Sequence, residues 1–169
     1  MKQQTLPDIF HILSHYHRWT YEILFSAVDQ LKEKDYFLNM GLFFKSIHGT
    51  LNHLYLCDHL WYCRFTDTPH SFVSVNDISF PNYDGVKHNL RQQAKQWCQF
   101  INEQPKALPD TITSISFKGN MTVSPYLPTL LHVFNHATHH RGQISTALTQ
   151  KNIAATEMDL YYYLKTLPK

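Results

Sequence analysis

Four histidines crowd one short stretch near the C-terminal end, Leu130-Leu-His-Val-Phe-Asn-His-Ala-Thr-His-His-Arg-Gly-Gln-Ile144: His132, His136, His139 and His140. No Pro or Gly interrupts it before Gly142, and apolar residues recur at helical spacing. At about 100° per residue, the four imidazoles share roughly one quadrant of a helix. Leu130, Val133, Phe134, Ala137, Ile144 and Leu148 fill the neighbouring arc and read as core. His136 and His140 adjoin that arc, whereas His132 and His139 lie toward its outer edge. Imidazoles at i and i+4 reach one ion, and neutral imidazole ligates zinc, nickel, iron and copper. The stretch predicts half of a metal site, with His136 and His140 as its donors.

A third donor needs another helix. The pattern predicts one from about Gly41 to Thr66, with His53 inside an apolar arc of Phe43, Ile47, Leu51, Leu54, Cys57, Leu60 and Trp61. His48 and His59 fall on its polar side. His53 is the candidate third ligand. Cys57, one turn beyond, is an alternative thiolate donor, although a core cysteine ordinarily serves as a small apolar residue. An earlier helix, about Pro7 to Lys32, carries an apolar stripe of Ile12, Tyr16, Trp19, Ile23, Ala27 and Leu31. Beside it runs His11, His15, Arg18 and Glu22, either a solvated face or a source of acid–base groups. Glu22, with His15 behind it, is the nearest such candidate by helix phase. Gln143 faces the site and is placed to hydrogen-bond a ligand histidine. Asp58 and Arg141 point away from it and read as packing or ion-pair residues.

Lys32-Glu-Lys-Asp-Tyr reads as a polar break, and residues 67–81, with Pro69 and Pro81, as a loop. A third long helix spans roughly Asn82 to Gln104, burying Val86, Leu90, Trp97, Phe100 and Ile101. Thr111–Phe117 alternates, and with Met121-Thr-Val it predicts a small hairpin turning at Gly119. The histidine helix starts at Ser124-Pro125 and ends near Lys151. A short last helix opens at Thr156, its expected N-cap, with Asp159 at the capping-box position. These elements predict a single all-α domain, a four-helix bundle over residues 1–169. Metal sites in such bundles lie between facing helices.

Composition narrows the function classes. Apolar residues make up 43% and aromatics 14%, which suits a packed core. A net charge of +2 with no basic run argues against nucleic acid as a partner. No stretch approaches the length of a membrane span. Cys57, Cys63 and Cys98 are odd in number and lack CxxC spacing, which fits a reduced, cytoplasmic setting better than a disulfide framework.

Two segments resemble signatures of the DinB family of DinB/YfiT-like metalloenzymes. Phe44-Lys-Ser-Ile-His-Gly-Thr-Leu-Asn-His53, with Asp58 and Trp61, is similar to the family's second-helix motif. Phe134-Asn-His-Ala-Thr-His-His-Arg-Gly-Gln143 is similar to its fourth-helix motif, and Asp159-Leu160 to the aspartate-leucine that follows. The resemblance implies an up-down-down-up bundle and a three-histidine centre on His53, His136 and His140. It implies one divalent ion, zinc or nickel foremost, with iron or manganese compatible. Tyr16-His-Arg-Trp19 departs from the family's Tyr-Asn-x-Trp segment in the first helix.

Three imidazoles leave an ion its full charge and an open position for water, substrate or a thiolate. The expected function is therefore metal-dependent hydrolysis or group transfer on a low-molecular-weight thiol, with a small-molecule substrate. The alternative is a DNA-damage-inducible, metal-binding stress protein without turnover, acting through a partner or a homodimer surface. A bundle whose histidines are merely satisfied in its core is a third reading.

Overall fold

The structure, a computed structural model, describes residues 5–105, 107–154 and 157–168. In chain order it contains α1 (Leu6–Val28), α2 (Glu33–Tyr36), α3 (Ile47–Thr66), α4 (Tyr83–Asn102), β1 (Thr111–Ile115), β2 (Met121–Pro125), α5 (Tyr126–Thr149) and α6 (Leu160–Leu164). Local chemistry sets the boundaries. Asp8 takes the Thr5 backbone N–H at 2.8 Å, and Pro7 occupies the first turn of α1. Ser46 Oγ accepts from Gly49 N at 3.0 Å to start α3, and Asn82 Oδ1 accepts from Gly85 N at 2.9 Å to start α4.

The four long helices close into a ring in which α1 and α3 each pack on α4 and α5. Asp29 at the end of α1 bonds Tyr83 and Lys87 at the start of α4, so these two run antiparallel. Phe65 at the end of α3 meets both Phe100 at the end of α4 and Tyr126 at the start of α5. Phe10 of α1 shares its apolar cluster with Tyr126 and Leu130 at the start of α5. The directions are up, down, down, up. The parallel pair α3 and α4 requires a long crossover, residues 67–82. The hairpin β1–β2 lies between α4 and α5, pairs Thr113 with Val123, and turns at Gly119 with φ of +80°.

The core falls into two apolar clusters. One gathers Leu24, Val28, Leu51, Leu54, Leu90 and Ile144, and the other Phe10, Trp97, Phe100, Leu130, Val133 and Phe134. Where one gives way to the other, His17, Asp58 and Arg141 are buried. Among the described residues, no helix is long and apolar enough to cross a membrane.

Several expectations shift. On α1 Phe10, Ser14, His17, Tyr21, Leu24 and Val28 are buried; of the expected stripe Tyr16 and Ala27 are buried too, while Ile12, Trp19, Ile23 and Leu31 are half-buried. Polar residues on the buried line disguised its phase. The second long helix begins at Ile47 rather than near Gly41. Residues 41–46 form a turn with Lys45 at φ of +68°, and Phe43 is 80% exposed. His48 is buried, its Nδ1 3.0 Å from the Tyr36 hydroxyl, because α3 is covered on nearly every side. The polar break at Lys32–Tyr36 contains the single turn α2. The last helix starts at Leu160 with Asp159 as N-cap, and the Thr156 cap lies outside the described residues.

Candidate metal centre

Antiparallel α3 and α5 bring the predicted histidines together. His53 Nε2 lies 3.3 Å from His136 Nε2, which lies 3.2 Å from His140 Nε2. His53 and His140 are buried and His136 is half-buried. The ligand atoms of His53, Cys57 and His136 all lie within 4.8 Å of one another, a group that can hold a metal ion. His140 joins them through His136. His132 and His139 are exposed, as their position on the helix implied.

The other ring nitrogens fix the tautomers. His53 Nδ1 donates to the Val75 carbonyl at 2.8 Å, and His140 Nδ1 donates to Gln143 Oε1 at 2.8 Å. The Gln143 amide in turn donates to His139 Nε2 at 3.1 Å. An oxygen that can only accept requires the proton on Nδ1, so both Nε2 atoms present lone pairs. His136 Nε2 faces both of them and has at most one proton to offer. A cation resolves this clash for all three. Two nitrogens about 2.0–2.1 Å from a tetrahedral ion stand about 3.3–3.4 Å apart, in line with the observed spacing. The residues fit a divalent metal.

Phe44, from the turn before α3, stacks on His53 at 3.8 Å between ring centroids and 19° between planes. That turn is held close by Gly49: a Cβ there would run into the Phe44 carbonyl oxygen. Gly49→Ala is expected to cost about 1–3 kcal/mol in a thermal melt and to displace Phe44 from His53. Gly142→Ala, which would meet nothing within 4 Å, is expected to be neutral or stabilising.

Burial dominates the proton affinities. It lowers His53 from 6.5 to about 4, with the Val75 bond opposing and the His140 charge reinforcing the shift. His136 is likewise lowered to about 4, first by burial and then by His140 and His53. His140 is lowered by burial, against the opposing bond to Gln143. Burial also pushes the Cys57 thiol up to about 12 in the absence of a cation. An unfolded chain takes up protons below about 6.5, while the folded pair declines them until about 4. Chelator-treated protein is therefore expected to lose thermal stability as pH falls from about 6.5 to about 4, the window set by these histidines. His136→Gln should flatten that slope.

The remaining candidates lie elsewhere. Glu22 forms a bidentate pair with Arg91 of α4, the shortest contact being 2.6 Å. The His15 ring lies tilted against His11 at 4.5 Å between centroids, and among the described residues no hydrogen bond or ring contact joins Glu22 or His15 to the three histidines. The expected packing roles of Asp58 and Arg141 are realised in a buried network. Arg141 Nη1 donates to His17 Nδ1 at 3.1 Å, and His17 Nε2 donates to Asp58 Oδ2 at 2.9 Å. The Tyr21 hydroxyl donates to the same oxygen at 3.0 Å. His17 and Val75 were not anticipated. The buried stripe pointed to the first only once its phase was known, and a backbone carbonyl carries no side-chain signal.

The chain is 25% identical over 167 aligned positions to Protein DinB of Bacillus subtilis (strain 168), covering 94% of this chain and 95% of that protein. No solved structure matches it. The family model described as DinB family matches residues 1–166, and the chain belongs to the DinB family.

Proposed function

We propose that the chain binds one divalent metal ion through Nε2 of His53, His136 and His140. In this reading it acts as a metal-dependent enzyme on a small molecule, either as a hydrolase or as a thiol-dependent transferase. The observation that carries it is the tautomer pair. Val75 and Gln143 hold the Nδ1 protons, so the Nε2 lone pairs converge. An ion held this way supplies Lewis acidity toward a carbonyl or a thiol. Zinc and nickel suit it best, and three imidazoles also accommodate iron or manganese.

The chain's own residues do the rest. Val75 and Gln143 orient two imidazoles and keep them neutral. Phe44 covers one face of His53 and excludes water from it. A cavity lined by Phe43, Phe44, Lys45, Gly49, Asn76 and Ile78 shares the Phe44 side chain with the centre, and none of the three histidines lines it. The test is a screen of metal-loaded protein with thiol–acceptor pairs and with simple esters, amides and lactones. Turnover lost on chelation and restored by the ion supports the reading.

A second reading is a metal-binding protein without turnover that works through a partner or a second copy. Phe43 and Val73, 80% and 78% exposed near the crossover and the centre, favour it. No turnover in the screen, together with metal-dependent self-association in sedimentation, would select this alternative.

A further inference from the structure

Away from the three histidines, α3 carries a second cysteine–histidine pair. Cys63 sits one turn after His59, its Sγ 3.7 Å from His59 Nε2. His59 Nδ1 donates to Gln93 Oε1 of α4 at 3.0 Å, which leaves Nε2 an acceptor facing the thiol. The Pro69 carbonyl, 3.6 Å from the sulfur, is the thiol's other acceptor. Tyr55 stacks on the imidazole, 5.6 Å between centroids and 7° between planes, and Gln93 is buried. A nucleophile, its base and the group that orients the base follow one another in this chain. The other cysteines differ. Cys57 neighbours His53, an imidazole that belongs to the centre, and Cys98 donates to the Ser14 carbonyl, its thiol pushed up by burial.

Cys63 is buried, yet it lines a cavity of about 450 Å³ between the end of α3, the start of the crossover and β1. A space of this size holds a small molecule. Its walls carry Arg64, Asp67 and His70, with the hydroxyls of Thr113 and Ser114. Arg64 Nη2 donates to the Ile115 carbonyl at 3.2 Å, and the guanidinium lies over Trp61. Its Nε is shielded from solvent and has no hydrogen-bond partner among the described residues. An unmade hydrogen bond on a cavity wall favours an acceptor brought by a ligand. One cationic and one anionic side chain match the carboxylate and ammonium of an amino-acid headgroup.

We infer that Cys63 is a reactive thiol, with His59 as its base and Gln93 orienting that base, and that it exchanges with low-molecular-weight disulfides bearing amino-acid headgroups. The site is separate from the histidine centre and does not rest on it. The Cys63 thiol passes its proton to His59 Nε2. The thiolate attacks one sulfur of the disulfide, and the bond to Cys63 forms as the sulfur–sulfur bond breaks. The leaving thiolate takes the proton from His59. Cys63 is oxidised to a mixed disulfide, and half of the reagent is reduced to a free thiol. The attached half occupies the cavity beside Arg64 and Asp67.

The experiment incubates the reduced full chain with oxidised glutathione and locates adducts by peptide mass mapping. One adduct per chain is expected, on Cys63, forming at least about tenfold faster than on Cys63 of the urea-unfolded chain. Uncharged 2-hydroxyethyl disulfide should react more slowly than oxidised glutathione, and Arg64→Gln should erase that preference. His59→Ala and Gln93→Leu should each slow the reaction at least about tenfold, whereas Gln93→Glu, which can only accept from Nδ1, should retain the rate. An adduct on Cys57 or Cys98 instead, or a folded chain no faster than the unfolded one, overturns the inference. An unchanged rate in His59→Ala overturns the role of the base, and equal rates for the two disulfides overturn the headgroup match. The wild-type comparisons decide the matter even where a variant fails to fold.

Discussion

Protein purified without a nickel column is expected to carry close to one divalent ion per chain. His53→Ala, His136→Ala and His140→Ala are each expected to lose it. Structural zinc binds small sites with an apparent free energy of about 10–16 kcal/mol, so one lost ligand removes roughly 3 kcal/mol, about a hundredfold in affinity. His53 and His140 should show the full effect, because their Nδ1 bonds leave Nε2 no other use. His132→Ala and His139→Ala should retain the ion, the second with a modest loss because His139 supports Gln143. Elemental analysis and a thermal shift on adding zinc or nickel read the outcome. Full binding by a His136→Ala/His140→Ala variant would place the ion elsewhere.

Arg141→Met is expected to destabilise the fold by about 3–5 kcal/mol, a fall in Tm on the order of 10 °C. Arg141 and Asp58 are each 1% exposed. They do not touch directly: His17 stands between them, taking a hydrogen bond from the guanidinium and giving one to the carboxylate. Arg141 also donates to Thr138 Oγ1 at 2.9 Å. Removing the cation leaves a carboxylate in the core with only neutral donors. Removing the anion, as in Asp58→Leu, strands the guanidinium in the same way. The Asp58→Leu/Arg141→Met double variant is expected to be less destabilised than the sum of its parts. Additive losses would show that the three groups do not act as a unit. Metal content per folded chain should stay unchanged in all three variants.

Among the long helices α4 was the most legible, because it keeps polar and apolar faces apart. The same reading placed the α1 stripe partly off its buried side, where Ser14 and Thr20 bond backbone carbonyls and His17 bonds Asp58 and Arg141. A polar residue looks solvated until its partner is known, and the partners of His17 lie on α3 and α5. The turn at 41–46 reads as helix because Leu42, Phe43 and Phe44 are apolar, although Ser46 with Gly49 three residues on already marked the true start. In the centre, the convergence of His53, His136 and His140 followed from helix phase and from the family motif. Gln143 followed from its i+3 position. Val75 did not, because its contribution is a carbonyl delivered by an irregular crossover.

That crossover has a consequence of its own. Adjacent residues of α3 grip it at two points: His53 through the Val75 carbonyl, and Asn52 through the backbone N–H and carbonyl of Phe80. A cation on Nε2 makes the Nδ1 proton of His53 a stronger donor and so tightens the hold on Val75. By linkage, ordering of residues 67–82 must strengthen the grip on the ion by the same factor that the ion strengthens the ordering. With an ion bound, the segment joining the two parallel helices would act as an effector of the centre.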